Sequence, residues 1–230
     1  WLAYRIFREA GVAAPRIGYA WMHLNDEVYG LYVNVEKMDR GWLERHFDST
    51  AHLYEGQYGQ DLFYEAVHEL ECDVGDPDNR RDLRALVELI EDPPRNGFYE
   101  ASERFVNWDQ VLRMMAVEIY IGHWDGYAPS RNNYFFHFDD EGRVSLLPWG
   151  TDQTFRAHLG MHWGEGRLLQ TCLEDDRCRA RYDEVLRELV ERIDALNLAG
   201  DLDDLANHLE RWVARDPKRD EHMDEFWHQV

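Results

Sequence analysis

The chain has 230 residues, 44% hydrophobic and 13% aromatic, and its 46 acidic against 25 basic side chains give a formal charge of −21. That composition supplies a buried core and excludes wholesale disorder. The charge repels phosphates and anionic headgroups, which excludes a general nucleic-acid or membrane surface, and no apolar run approaches the length of a membrane span.

In chain order, the opening LAYRIFREAG sets Leu2, Ile6 and Phe7, with Ala3 and Ala10, on one helical face, and Gly11 is a natural stop. The start has no basic leader followed by an apolar block, so it does not read as a signal peptide. It reads as the inside of an amphipathic helix, as expected for a piece of a longer protein. Residues 17–24 and 28–35 are rich in aromatic and β-branched side chains around Asn25-Asp26-Glu27, which predicts a tight hairpin. A short helix is expected over 40–47. HLYEGQYG suggests another strand and turn, and DPDNRRDLRALVELIED a capped helix ended by Pro93-Pro94.

Asn107 should cap and open a strong helix with an apolar face of Val111, Leu112, Met115, Ile119 and Ile121, ending near Gly122. Strands follow over about 133–138 and 143–147, joined by Asp139-Asp140-Glu141-Gly142. Beyond Phe155 the chain reads as a loop rich in Gly and His, then as helices over about 179–195, 201–214 and 218–229. A β-rich first part thus leads into a mainly helical second part.

Of the three cysteines, Cys172 and Cys178 could close a small disulfide loop in an oxidising compartment, with zinc the weaker reading. Cys72 reads as a buried free thiol. His158 and His162 have zinc spacing, but Gly160 and Gly164 argue against the helix such a site needs, which leaves a loop at the substrate cleft. His68, Glu69, Glu71 and Cys72 read as the polar edge of a strand or helix. Most of Trp108, Trp124, Trp149 and Trp163 read as core.

Around the second hairpin, Asp125, Asn132, Asn133 and Asp152 each have a bland explanation as turn or cap residues. Together they have the order of a phosphoryl-transfer site: an Asp loop after a long helix, an Asn entering a strand, a hairpin and a second Asp. One carboxylate would orient or deprotonate the attacking hydroxyl. An amide oxygen and a second carboxylate would hold the divalent cations on the phosphates. The hairpin would be a rigid spacer between them.

The strings LAYRIFREAGVAAPR, YGLYVNVEKMDRGWLERHF, IGHWDGY, NNYFFH, LLPWGTDQTF and CLEDDRCRARYDEVLREL carry a further signal. In that order, over residues 1 to about 196, they resemble the spore-coat CotH kinase family. The resemblance implies an α+β, protein-kinase-like fold with a partial β-containing N-lobe and a mainly helical C-lobe. It implies a single domain over 1–230: partial N-lobe and hinge over 1–38, then C-lobe over 39–230 with an insertion at about 48–105. It implies ATP-dependent phosphoryl transfer to a protein hydroxyl, Ser first, with Mg2+ or Mn2+, in a coat or extracellular setting.

Residue by residue, the resemblance puts Asp125 at the catalytic position, and Asn133 (with Asn132 the alternative) and Asp152 at the metal positions. Glu36, Lys37 and Met38 would form the hinge whose backbone meets adenine, and Glu9 could pair with a phosphate-binding Lys. Three departures stand beside it. The Asp125–Asn133 interval is longer than in ordinary kinases. Gly150 stands where many members have a second Asp, in a PWDxD pattern. The family's glycine-bearing phosphate loop and strand Lys would precede Trp1. Lys37 and Lys218, the only lysines, are not placed to replace that Lys, and arginine is a poor substitute. The rival reading is a non-catalytic coat or surface scaffold. A metal-dependent phosphoesterase is a third.

Overall fold

In the computed structural model, which describes residues 1–94, 97–155 and 157–219, the first helix, α1 (Leu2–Glu9), buries Tyr4, Ile6 and Phe7 and gives way to Gly11 at φ +82°. The expected hairpin forms from β1 (Ile17–Leu24) and β2 (Glu27–Val35). Its turn residues, Asn25 and Asp26, lie at φ +49° and +66°, the left-handed pair that suits the twist of a two-residue hairpin. The register shifts between Met22 and His23. Nearby, Gly30 at φ +104° lies against the Asp216 carboxylate, which accepts the Leu31 N–H at 2.9 Å. Trp212 packs on Trp21, and Lys218 Nζ sits 3.3 Å from the centre of the Tyr29 ring, so the far end of the described chain pins the hairpin.

The short helix α2 (Arg40–His46) is capped by Asp39, whose carboxylate accepts the Trp42 N–H at 2.9 Å. The remaining elements are β3 (His52–Gly56), β4 (Glu71–Val74), α3 (Arg81–Glu91), α4 (Phe98–Ser102), α5 (Trp108–Tyr120), α6 (Tyr127–Ser130), β5 (Tyr134–Phe138), β6 (Val144–Pro148), α7 (Arg167–Glu174), α8 (Asp176–Asp194) and α9 (Leu198–Val213). The strands form an antiparallel sheet in the order β4-β3-β5-β6. The architecture is α+β, with antiparallel sheets and a helical C-terminal part.

The four-stranded sheet is covered on both faces. Tyr54, Tyr134, Phe136, Phe138, Val144 and Leu146 join the main core with α1, α3, α5, α7 and α8. Leu53, Phe135 and Leu147 face a smaller core with Met38, Trp42 and Leu43. The outer edge of β6 is closed by side chain rather than by strand. Gln110 on α5 accepts the Leu146 N–H at 2.8 Å and donates to the Leu146 carbonyl. The Val144 N–H and C=O are taken by Phe105 and Asn107.

Several local roles differ from expectation. Asn107 occupies the cap position of α5, but its amide donates to Ser145 Oγ at 3.3 Å and makes no cap bond. The cap position of α3 is Arg80, not an Asp or Asn of DPDN; its guanidinium reaches the Val67 and Leu70 carbonyls. Helix α7 lies inside the stretch read as loop. Asp175 caps α8 through the Arg177 and Cys178 N–H groups, and a Cys172–Cys178 disulfide ties α7 to α8. Of the helix expected over 218–229, Lys218 lies in a turn, Arg219 is in irregular chain, and the rest lies outside the described residues.

Replacing Gln110 with Leu strands the buried N–H and C=O of Leu146. The expected cost is about 1–3 kcal/mol for each group, read as a lower urea midpoint with unchanged slope. An unchanged midpoint would show that the β6 edge does not depend on Gln110.

Candidate functional site

Helix α5 ends at Gly122 (φ +61°) and delivers His123, Trp124 and Asp125 to a loop that includes α6. Arg131 (φ +53°) ends α6, and Asn133 (φ +51°) turns the chain into β5. Asparagine tolerates this left-handed conformation better than most residues. The half-buried Asp125 carboxylate is held by both asparagines. Asn132 Nδ2 donates to Oδ1 at 3.0 Å, and Asn133 Nδ2 donates to Oδ2 at 2.8 Å and to the Asp125 carbonyl at 3.0 Å. The two asparagines thus orient Asp125 from one side, whichever also meets a metal.

The β5–β6 register pairs Tyr134 with Pro148, and one step beyond, the Trp149 N–H donates to the Asn133 carbonyl at 3.0 Å. Gly150 follows at φ +49°. A Cβ there would lie 2.5 Å from Asn133 Oδ1 and 2.6 Å from its Cγ. Asn133 therefore occupies the space a side chain at position 150 would need, which gives the departure from the family's second Asp a steric account. The buried Tyr4 hydroxyl lies against Gly150 and Thr151, and burial raises its pKa to about 12. Asp152 is exposed, and its Oδ2 accepts the Gln153 amide at 3.1 Å.

Beneath this surface lie groups that the sequence reading passed over. His123 is fully buried, and its Nε2 meets the Gly150 carbonyl at 3.3 Å. A carbonyl only accepts, so the ring proton is on Nε2 and Nδ1 is a bare lone pair. Burial pushes the imidazole down to about 4, opposed by the Gly150 carbonyl and by the charges of Asp125 and Asp152. Glu118, fully buried on α5, is pushed up to about 8 by burial, opposed by its bonds to the Ala128 and Tyr127 N–H groups. For both groups burial works against the charged form, as expected from the penalty of a buried charge. The signal for Glu118 was in the sequence: it lies three residues beyond Met115 and beside Ile119, on the apolar face.

The buried Asp61 carboxylate, between β3 and β4, accepts the Tyr127 hydroxyl at 3.1 Å and the Arg167 N–H at 2.7 Å. It thereby joins α6 to the start of α7. Burial raises its pKa to about 6.

Among the described residues no group of three or more His, Cys, Asp or Glu side chains is placed to hold a metal. The oxygens on offer near the asparagines, the exposed Asp152 carboxylate and Asn133 Oδ1, whose amide nitrogen is spent on Asp125, are hard donors. Those donors suit Mg2+ or Mn2+, which commonly bind through one or two carboxylates plus substrate phosphates and water. His162 instead pairs with Asp183 at 2.6 Å, and its loop lines a groove of about 780 Å3 with Tyr120 and Val190.

In the hinge segment, the Glu36 carboxylate is tied to Arg16, Arg45 and the Trp42 indole, and Met38 is buried in the smaller core. Lys37 is exposed. Glu9 lies 3.9 Å from Arg5. Trp108 is buried, Trp149 packs against the smaller core, and Trp124 and Trp163 are exposed.

His137 is also buried and also lowered to about 4 by burial. For both histidines the folded pKa lies below the ordinary value of about 6.5. The stability they allow is therefore present above about pH 6.5 and lost as pH falls toward 4, on the order of 3 kcal/mol each. Glu118 and Asp61, raised by burial, act in the opposite direction over this range, so the readout is the difference between two proteins: in urea unfolding, His137→Gln should lose less stability between pH 7 and 4 than the wild type, by about 3 kcal/mol. Parallel profiles for the two proteins would contradict the assignment. Separately, Gly150→Asp should eject the Asn133 amide from Asp125, read as a shift of its side-chain NMR signal, with a backbone cost of about 1–3 kcal/mol. An unmoved signal would show that Asn133 does not depend on the glycine.

Inner spore coat protein H of Bacillus subtilis (strain 168) is 20% identical over 214 residues, covering 84% of this chain and 58% of that protein. The chain thus spans little more than half the length of that relative. The profile described as CotH kinase protein matches residues 1–230. With its whole length so matched, the chain belongs to the CotH kinase family.

Proposed function

We propose that the chain forms most of an atypical, kinase-like domain that transfers the γ-phosphoryl group of ATP to a hydroxyl of a protein substrate, with Ser the first acceptor to test. Residues 1–38 are read as a partial N-lobe and hinge, and 39–230 as the C-lobe, with 48–105 as an insertion. The observation that carries this reading is the Asn133 side chain. Its nitrogen holds Asp125, and its oxygen is turned toward Gly150, next to the loop that bears Asp152.

Asp125 orients the acceptor hydroxyl and takes its proton as the oxygen bonds to the γ-phosphorus. The bond to the bridging oxygen breaks, and ADP leaves. Asn132 and Asn133 keep the carboxylate aimed. Asn133 Oδ1 and Asp152 would hold Mg2+ or Mn2+, which would neutralise charge on the phosphates. With the Glu36 side chain engaged by arginines, adenine recognition at Glu36, Lys37 and Met38 falls to the backbone. The disulfide and the spore-coat relative support a coat or extracellular setting. No described helix is long and apolar enough to cross a membrane.

Gly150 favours one rival, a non-catalytic coat or surface scaffold, because the site offers one carboxylate fewer than many members do. Calorimetric titration of ATP with Mg2+ or Mn2+, into the protein with any sequence that precedes Trp1, separates the two. Metal-dependent binding lost in Asp152→Ala supports the kinase. No binding in the wild type points to the scaffold. Asp125→Ala should keep the fold and bind ATP, yet lose transfer by roughly 100-fold or more. Full transfer by that variant would remove Asp125 from its role, and phosphate released to water alone would indicate a phosphoesterase.

A further inference from the structure

Glu118 touches the Asp125 loop on both sides of Asp125. Its Oε1 accepts the Tyr127 N–H at 2.9 Å, and its Oε2 accepts the Ala128 N–H at 2.7 Å. Oε1 also lies 3.8 Å from His123 Nδ1, and the opposite ring nitrogen meets the Gly150 carbonyl. Gly126 leaves no room between these groups: a Cβ there would fall on Glu118 Oε1 and His123 Nδ1. The Tyr182 hydroxyl, from α8, is buried nearby with no partner among the described residues, and its pKa is raised by burial and then by Glu118.

A four-residue helix such as α6 cannot hold itself, since nucleation is costly and its first N–H groups have no internal partner. Here those donors are buried. An apolar side chain at position 118 would orphan them. A glutamine would supply one acceptor oxygen and set its NH2 against an N–H. Only a carboxyl group of this length offers an acceptor to each of two successive amides.

We infer that Glu118 is a positioning residue. It fixes the backbone on which Asp125 stands, while His123, packed beside it, spans from that loop to the Gly150 carbonyl. The catalytic consequence rests on the phosphotransfer reading above. The geometric role does not.

The test pairs Glu118→Gln with Gly126→Ala, which attack the same contact from opposite sides. In each, the Tyr127 and Ala128 amides should lose hydrogen-exchange protection, and the side-chain NMR signals of Asn132 and Asn133 should shift. The kcat for transfer should fall roughly 10- to 100-fold, while the KM for ATP stays within about twofold, because Asp125 acts on the acceptor hydroxyl and not on ATP. The double variant should be little worse than either single one, since both break one interaction. Thermal melts and circular dichroism confirm that each variant is folded. Amides that keep wild-type protection, asparagine signals that do not move, an unchanged kcat or additive losses would each overturn the role. If the wild type transfers no phosphate, the kinase reading fails, and the exchange and NMR results still decide whether Glu118 positions the loop.

Discussion

The constraint on which the site depends is the double burial of the β5–β6 ladder. Every residue from Tyr134 to Phe138 and from Val144 to Pro148 is buried. A slip of one residue would turn Phe135 or Leu147 out of one core and Phe136 or Leu146 out of the other, at a cost of several large side chains. The register is therefore fixed, and with it the meeting of Asn133 and Trp149 at the ladder's end. The candidate chemistry gathers there because it is the end to which α5 delivers Asp125.

Much of this was legible in the sequence. The Asn25-Asp26 turn announced a hairpin because few residue pairs accept two left-handed positions. The second hairpin was legible from its alternation of apolar runs with an Asp/Gly turn. The Asp125–Asn133–Asp152 order was legible as chemistry, although a string could not show that both asparagines grip Asp125. What escaped is non-local. Helix α7 begins after a Gly-rich run, and its first N–H groups, of Arg167 and Leu168, donate to Asp61, 106 positions away, and to the Tyr127 hydroxyl. No local capping signal could announce it. Asn107 misled in the other direction: it had the residue type of a cap, but β6 competes for its amide. Glu118 stood out only as a charge on an apolar face, a pattern that does not say which backbone it will meet.

Charge is distributed unevenly with depth. At the surface, arginines are committed to carboxylates, as Arg16 and Arg45 are to Glu36, and this holds the segment between the hairpin and α2 in place. Glu36 is brought down to about 2, led by its bond to Arg16. Below Asp125 the opposite holds: Glu118 and His123 are poised to be uncharged. The carboxylates of the site that water or a cation can reach are those of half-buried Asp125 and exposed Asp152.

The sheet's two edges are guarded in different ways, which bears on how the protein would behave at high concentration. The β6 edge is plugged by Gln110 and the segment at Phe105–Asn107, so no foreign strand can add there without unseating α5. The β4 edge is only four residues long and carries Glu71 and Asp73. Burial and the neighbouring Glu71 raise the Asp73 pKa, and Glu55 on the next strand is raised by burial and by both. That guard is electrostatic, and it is set to discharge early on acidification. At high protein concentration, neutral surroundings would keep such domains apart, and mild acid would first uncover this edge to strand addition between copies.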